Sequence, residues 1–184
     1  MIRPVEIGLT AVAVAVTEEQ PRVLLVRDER GGERALPTGA LDATRDRTLE
    51  LALRALVREQ SALELGYLEQ LYTFGNRYRD PRERAGGPRV VSVAYLALVR
   101  EEPPHEARAA AWRAWYDFLP WEDWRDGRPA VLDLTIVPEL ARWVRNGGAR
   151  AGSRQRRERA DLCFGLGGAP WDGERALDRF ELLY

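Results

Sequence analysis

The chain has 184 residues, an apolar fraction of 45% and a net charge of −1, enough for one ordinary globular domain plus appendages with a core that needs no staples. No run approaches the ~18 apolar residues of a membrane span, residues 1–16 lack the cleavage site of a signal peptide, and the balanced charge supplies no global pull toward nucleic acid. A single cysteine, Cys163, excludes an internal disulfide and fits a reducing cytoplasm. All 28 basic residues are arginine; GC-rich coding accounts for that simply, yet arginine forks suit phosphates and carboxylates, so their clusters are worth locating.

Residues 5–16, VEIGLTAVAVAV, are rich in β-branched side chains and read as a buried strand. TEEQP follows as a turn, and RVLLVR at 22–27 completes a hairpin. After the polar turn DERGG comes a short extended piece at 34–36, broken by Pro37, Thr38 and Gly39. A long amphipathic helix comes next. Leu49, Ala52, Leu53, Leu56 and Val57 share one side at helical spacing, and Arg47, Arg54 and Arg58 lie opposite. Either Asp46 or Thr48 could cap it. A Gly turn feeding a helix that carries Arg and Glu at fixed offsets is a candidate phosphate or metal site.

Residues 65–74, LGYLEQLYTF, supply one or two strands. Residues 75–88, GNRYRDPRERAGGP, mix five Gly and Pro with four arginines and read as a loop. RVVSVAYLALVR at 89–100 is the clearest strand in the chain, and strands before and after a helix give an α/β sandwich. His105, in a Pro-flanked polar loop, reads as solvated. Four of the six tryptophans fall within 109–124, a packed wall or an interface. Residues 133–144 have helical spacing around Pro138. NGGARAGSRQRRER at 146–159 reads as a flexible basic linker whose Arg154, Arg156, Arg157 and Arg159 could alternatively touch nucleic acid. Residues 174–184 read as a helix with Leu177, Phe180 and Leu183 in phase. Its abrupt end suggests a fragment, or a helix leading into a further segment.

The order strand, hairpin, LP-x-G turn, helix with R-x-x-x-R-E, then strands resembles the Nudix hydrolase fold. The resemblance implies a mixed β-sheet sandwiched between helices, here with a C-terminal helical extension. On the family's box, Arg54 matches the arginine, Leu56 the aliphatic position and Glu59 the last glutamate, and Gly39 matches the glycine with one residue inserted. Ala55 and Arg58 stand where two metal-binding glutamates belong, and Ser61 replaces a glycine. Mg²⁺ wants carboxylate oxygens, so the site suits holding a diphosphate better than cutting it, with Arg58 as a cation in place of the metal.

A second stretch is similar to the Nudix-related transcriptional regulators of NAD metabolism. It comprises Thr73, Phe74 and Gly75, then Arg79 to Arg82 (RDPR), then the strand from Val90 to Leu98. That resemblance implies a domain sensing ADP-ribose or a related NAD-derived nucleotide and a homodimer. DNA would be bound only through a domain not present in this chain. The expected organisation is a Nudix-like domain at 1–145, the basic linker at 146–160 and a helical extension at 161–184. Ligand contacts are expected from Gly39, Arg54, Arg58, Phe74, Arg77, Arg79 and Arg82. Two alternatives stay open. One is a Mg²⁺-dependent pyrophosphohydrolase with Glu59 catalytic and Asp46 or Asp42 rebuilding the metal site; the other is a dimeric interaction module without a small ligand. For Arg54 and Glu59 a structural ion pair is the competing reading, and for the loop arginines simple solvation. No membrane partner is expected.

Overall fold

A computed structural model describes residues 4–27, 34–102, 110–148 and 150–183. The expectation for His105 lies outside them. The chain forms two compact units, Met1–Trp115 and Tyr116–Tyr184, so the division falls some thirty residues before the expected boundary at 145.

The first unit is built on strand β1 (Val5–Thr17). It turns through Glu18 and Glu19, both at positive φ, into β2 (Gln20–Arg27), with Thr17 opposite Gln20. Positive φ at both turn residues is the tight hairpin geometry whose twist matches the strands. β2 carries two further strands, β3 (Arg34–Ala35) and, later in the chain, β7 (Ala111–Ala114). The Pro-Thr-Gly break is not a turn. Thr38–Ala40 forms β4, antiparallel to β1, with Gly39 opposite Leu9. Pairing is possible because Pro37 still offers its carbonyl, which accepts from the Ala11 amide at 2.9 Å, and proline at a strand's start sacrifices no ladder donor.

Helix α1 (Leu49–Ser61) begins at Thr48, whose hydroxyl accepts the Leu51 amide at 3.1 Å. That settles the choice between Thr48 and Asp46. Ala52, Leu53 and Val57 are buried against Leu9, Ala11 and Ala13 of β1 and against Val93 and Ala97, each larger side chain stabilising the packing by roughly 1.5–3 kcal/mol. The helix stops at Ala62 in the left-handed region, φ 63°. A single strand, β5 (Tyr67–Phe74), follows and runs antiparallel to β6 (Arg89–Leu98). β6 in turn pairs in parallel with β1. The sheet order is β3-β2-β1-β6-β5, with β4 also on β1 and β7 also on β2. Within the Gly/Pro-rich 75–88 stretch a one-turn helix, α2 (Pro81–Arg84), is capped by Asp80.

In the second unit, a π-helical segment Leu132–Ile136 runs into α3 (Val137–Arg145), as the apolar spacing indicates. The expected flexible linker is instead largely helix: α4 spans Arg150–Phe164. Its polar run is held by one local pair, Arg154 to Glu158 at 2.9 Å, and by Arg156, which donates to the Trp143 carbonyl of α3 at 2.9 Å. Ala160, Cys163 and Phe164 bury its last turns against Trp121, Leu132, Ile136 and Leu140. A polar helix can persist when such pairs and one buried end support it. Burial pushes the Cys163 thiol above its ordinary pKa.

The terminal helix α5 (Ala176–Leu183) departs from its expected phase at two of three positions, while Leu183 packs against the core as expected. Leu177 and Phe180 are exposed, at 67% and 44%, while Arg179 is wholly buried. Its Nε and Nη2 donate to the two Glu122 carboxylate oxygens at 2.7 and 2.8 Å, and Nη1 donates to the carbonyls of Cys163 and Asp172. The guanidinium also lies 4.0 Å from the Trp171 ring centroid. A buried guanidinium is tolerated only when its donors are met, and here the acceptors around the inner face hold Arg179 there beside Leu182 and Leu183, which pack against the core. Replacing Arg179 by Ala, which strands Glu122 in the interior, is expected to cost about 3–5 kcal/mol. Glu122→Leu combined with Arg179→Met should recover most of that in urea denaturation followed by tryptophan fluorescence. Cys163 is expected to resist thiol reagents until this unit unfolds, as timed labelling across the same transition would reveal.

Candidate functional site

Three segments meet one end of the first unit's sheet. β4 ends opposite Gly8 and the Leu41 amide donates to the Ile7 carbonyl, bringing the 41–48 turn to the start of β1. The Arg89 amide donates to the Pro4 carbonyl, bringing the 75–88 loop to the same end. Between them lies a depression lined by Pro4, Val5, Glu6, Ile7, Leu41, Ala43 and Pro88.

The helix residues are largely committed to structure. Gly39 lies against α1, where an added Cβ would come within 2.5 Å of Leu56 Cδ1, so its lack of a side chain serves close packing. Arg54 holds Glu50 through Nε at 3.1 Å and Nη2 at 2.7 Å, and donates to the carbonyls of Leu65 and Gly66. It thus ties the helix to the segment leading into β5. Glu50, rather than the expected Glu59, is its carboxylate partner. Arg58 lies exposed with Nη1 3.8 Å from Glu64. Ser61, in the glycine's place, donates to the Val57 carbonyl at 2.7 Å and accepts the Leu63 amide, so its buried hydroxyl is satisfied.

The carboxylates expected around a metal are exposed or engaged locally. Glu59 and Ala55 are exposed on α1, and Asp46 accepts the Asp42 amide at 2.8 Å. Asp42 is engaged by Thr44 through hydroxyl and amide at 2.6 and 2.9 Å; these bonds, the hydroxyl's first, hold its carboxyl below the usual range. Among the described residues no three His, Cys, Asp or Glu side chains gather as a metal cluster.

The loop arginines divide into two kinds. Arg82 donates to Asp80 through Nε and Nη2 and reaches Glu6 at 2.9 Å; its hydrogen bonds to Asp80 and then to Glu6 raise its pKa. Arg84 donates to the Tyr78 carbonyl at 3.1 Å. By contrast, the Arg79 guanidinium lies 4.0 Å from the Phe74 ring centroid and that of Arg77 lies 5.0 Å from the Tyr78 ring. Tyr72 packs edge-on against Phe74 at 4.9 Å. Sequence reasoning grouped Arg77, Arg79 and Phe74 but missed Glu6, Glu83 and the backbone of Tyr78. Tyr78 adopts φ 62°, and its amide donates to the buried Glu83 carboxylate at 2.7 Å. The signal was present in D-P-R-E, a helix cap followed three residues later by a glutamate that reaches back.

No protein-family model matches the chain. Over 88 residues it is 31% identical to the ADPR responsive transcriptional repressor NtrR of Acinetobacter baylyi, covering 46% of this chain and 33% of the repressor. The chain therefore spans about a third of the curated relative it matches. The NUDIX domain of Shewanella oneidensis NrtR, solved with ADP ribose, is 29% identical with a TM-score of 0.55 over 65% of this chain and 78% of that one. The first unit therefore has the Nudix fold and is similar to the NUDIX domain of an NrtR. Whole NrtR from Shewanella oneidensis, 23% identical, shares the fold over 96% of this chain and 83% of its own, TM-score 0.53. The helix α1 carries the stretch whose order resembles the Nudix box, with Ala55 and Arg58 on it.

Arg54→Ala is expected to lower stability by about 1–2 kcal/mol through loss of its charged hydrogen bonds, discounted for a side chain that is part exposed. Chemical denaturation checks this. Carboxyl-detected NMR should place Asp42 below the ordinary ~3.9, and Thr44→Ala should move it upward. A carboxylate held low contributes to stability above its unfolded pKa, and that contribution is lost as pH falls through the lowered folded value.

Proposed function

We propose that the Nudix-type unit senses ADP-ribose or a related NAD-derived nucleoside diphosphate compound without efficient hydrolysis, within a cytoplasmic transcriptional regulator of NAD metabolism. The observation that carries this reading is the 29% identity to a NUDIX domain solved with ADP ribose. The repressor from Acinetobacter, whose name describes a response to ADPR, supports it. A regulator needs its signal bound and released intact. Losing box carboxylates favours that outcome, since it weakens the metal site that would generate a nucleophilic water.

We place DNA contact outside the Nudix-type unit and expect the protein to act as a homodimer. Support for the dimer comes from β5, an edge strand that leaves Tyr67, Leu71 and Tyr72 exposed; an open edge of this kind invites pairing with another chain. Light scattering of the full chain is expected to give twice the monomer mass.

Calorimetric titration of ADP-ribose with and without Mg²⁺, beside an assay for AMP release, tests the central reading. Binding of similar affinity in both conditions with no turnover is expected. Metal-dependent turnover abolished by Glu59→Gln would replace it with the hydrolase reading, in which Asp46 or Asp42 completes the site. Absence of nucleotide binding would leave an interaction module.

A further inference from the structure

We propose that the cations gripping the ligand's diphosphate are Arg77 and Arg79 of the β5–β6 loop, and not the arginines of the box helix. This inference rests on the nucleotide-sensing reading above and adds where the phosphates sit.

The choice follows from what each guanidinium already holds. Arg54 spends its donors on Glu50 and on the carbonyls of Leu65 and Gly66. Arg58 leans toward Glu64, so an arriving phosphate would compete with a carboxylate. Arg82 is shared by Asp80 and Glu6, and Arg84 is bound to the Tyr78 carbonyl. Arg77 and Arg79 are exposed, and each lies over an aromatic ring. A ring face occupies one side of a guanidinium without consuming its N–H donors, which remain in the plane for an anion. Stacking also fixes the side chain before binding, which reduces the ordering cost of a charge-assisted bond.

The backbone between them is held as firmly. Tyr78 is in the left-handed region, φ 62°, a conformation that costs a non-glycine residue energy and persists only where its surroundings enforce it. Glu83 takes its amide and Arg84 its carbonyl. Arg82 fastens the same loop to Glu6, which lines the depression at the sheet's end. Two cations flanking one strained residue therefore have set positions, with exposed Tyr72 and Tyr78 rings beside them as surfaces for a base or sugar. The ligand class is a diphosphate carrying a nucleoside.

The test uses the full chain with two probes, ADP-ribose and inorganic pyrophosphate, both titrated calorimetrically without Mg²⁺. Arg77→Gln with Arg79→Gln is expected to weaken both probes by about tenfold or more, the effect of losing charged hydrogen bonds, and to flatten the salt dependence. Arg58→Gln is expected to stay within about twofold. Because the two loop side chains are exposed, the double variant should keep the wild-type circular dichroism and melting curve; Arg77→Lys with Arg79→Lys, which retains charge but not the fork, should fall between. If ADP-ribose binds the wild type and the Gln variant equally, the phosphate assignment is overturned while the sensing reading stands. If only pyrophosphate binds and the Gln variant loses it, the assignment stands and the sensing reading fails. Binding of neither probe by the wild type overturns both.

Discussion

Strand β1 pairs in parallel with β6 from Val5 opposite Arg89 to Val14 opposite Leu98, and the rest of the first unit depends on that ladder. Parallel neighbours cannot be joined by a tight turn; the chain must leave the sheet and return. Here the excursion contains the hairpin, β4, the box helix and β5. The helix thereby lands on the face formed by Leu9, Ala11, Ala13, Val93 and Ala97. Because β5 runs antiparallel to β6, the arginine-rich loop is delivered to the strands' starting ends, beside the turn that precedes the helix. One pairing thus sets both the core and the place where a ligand can be met.

The site has a division of labour that residue types alone conceal. Arginine performs three jobs within thirty residues: Arg54 stitches a helix to the segment before β5, Arg82 latches a loop to β1, and Arg77 and Arg79 lie over aromatic rings. What separates these roles is the availability of acceptors. A guanidinium near a carboxylate and two carbonyls becomes structural; one near only aromatic faces keeps its binding capacity. Replacing glutamates at the box positions with Ala55 and Arg58 removes the electrostatic reason for a metal there and shifts the interest of the surface toward the loop.

Much of the architecture was readable before any coordinates. β1, β2 and β6 announce themselves through Val, Ile and Leu, and α1 through its apolar spacing and Thr48. Arg54 invites an ion pair from its place on the helix, and the carboxylate it finds is Glu50, four residues before it, and not Glu59. β4 was hidden because Pro37 and Gly39 carry turn statistics, while the pairing that makes them a strand comes from β1, nearly thirty residues away. α4 was hidden because Gly147, Gly148, Gly152 and a run of arginines look like linker composition, and its support comes from Trp143, Glu158 and one buried end. The phase of α5 misled because an arginine with every acceptor supplied outcompetes a leucine for the interior. Ring stacking by Arg77 and Arg79 depends on where Phe74 and Tyr78 point, which spacing does not encode.

The contact between Arg179 and Glu122 spans 57 positions of sequence, and that separation gives it a kinetic meaning. A bond between distant residues forms only after the chain between them has been brought round. On the ribosome the first unit has every strand it needs once Ala114 has emerged. Glu122 must wait, its carboxylate solvated and the tryptophans around it uncovered, until Arg179 is made. The second unit therefore closes only after α5 has been made.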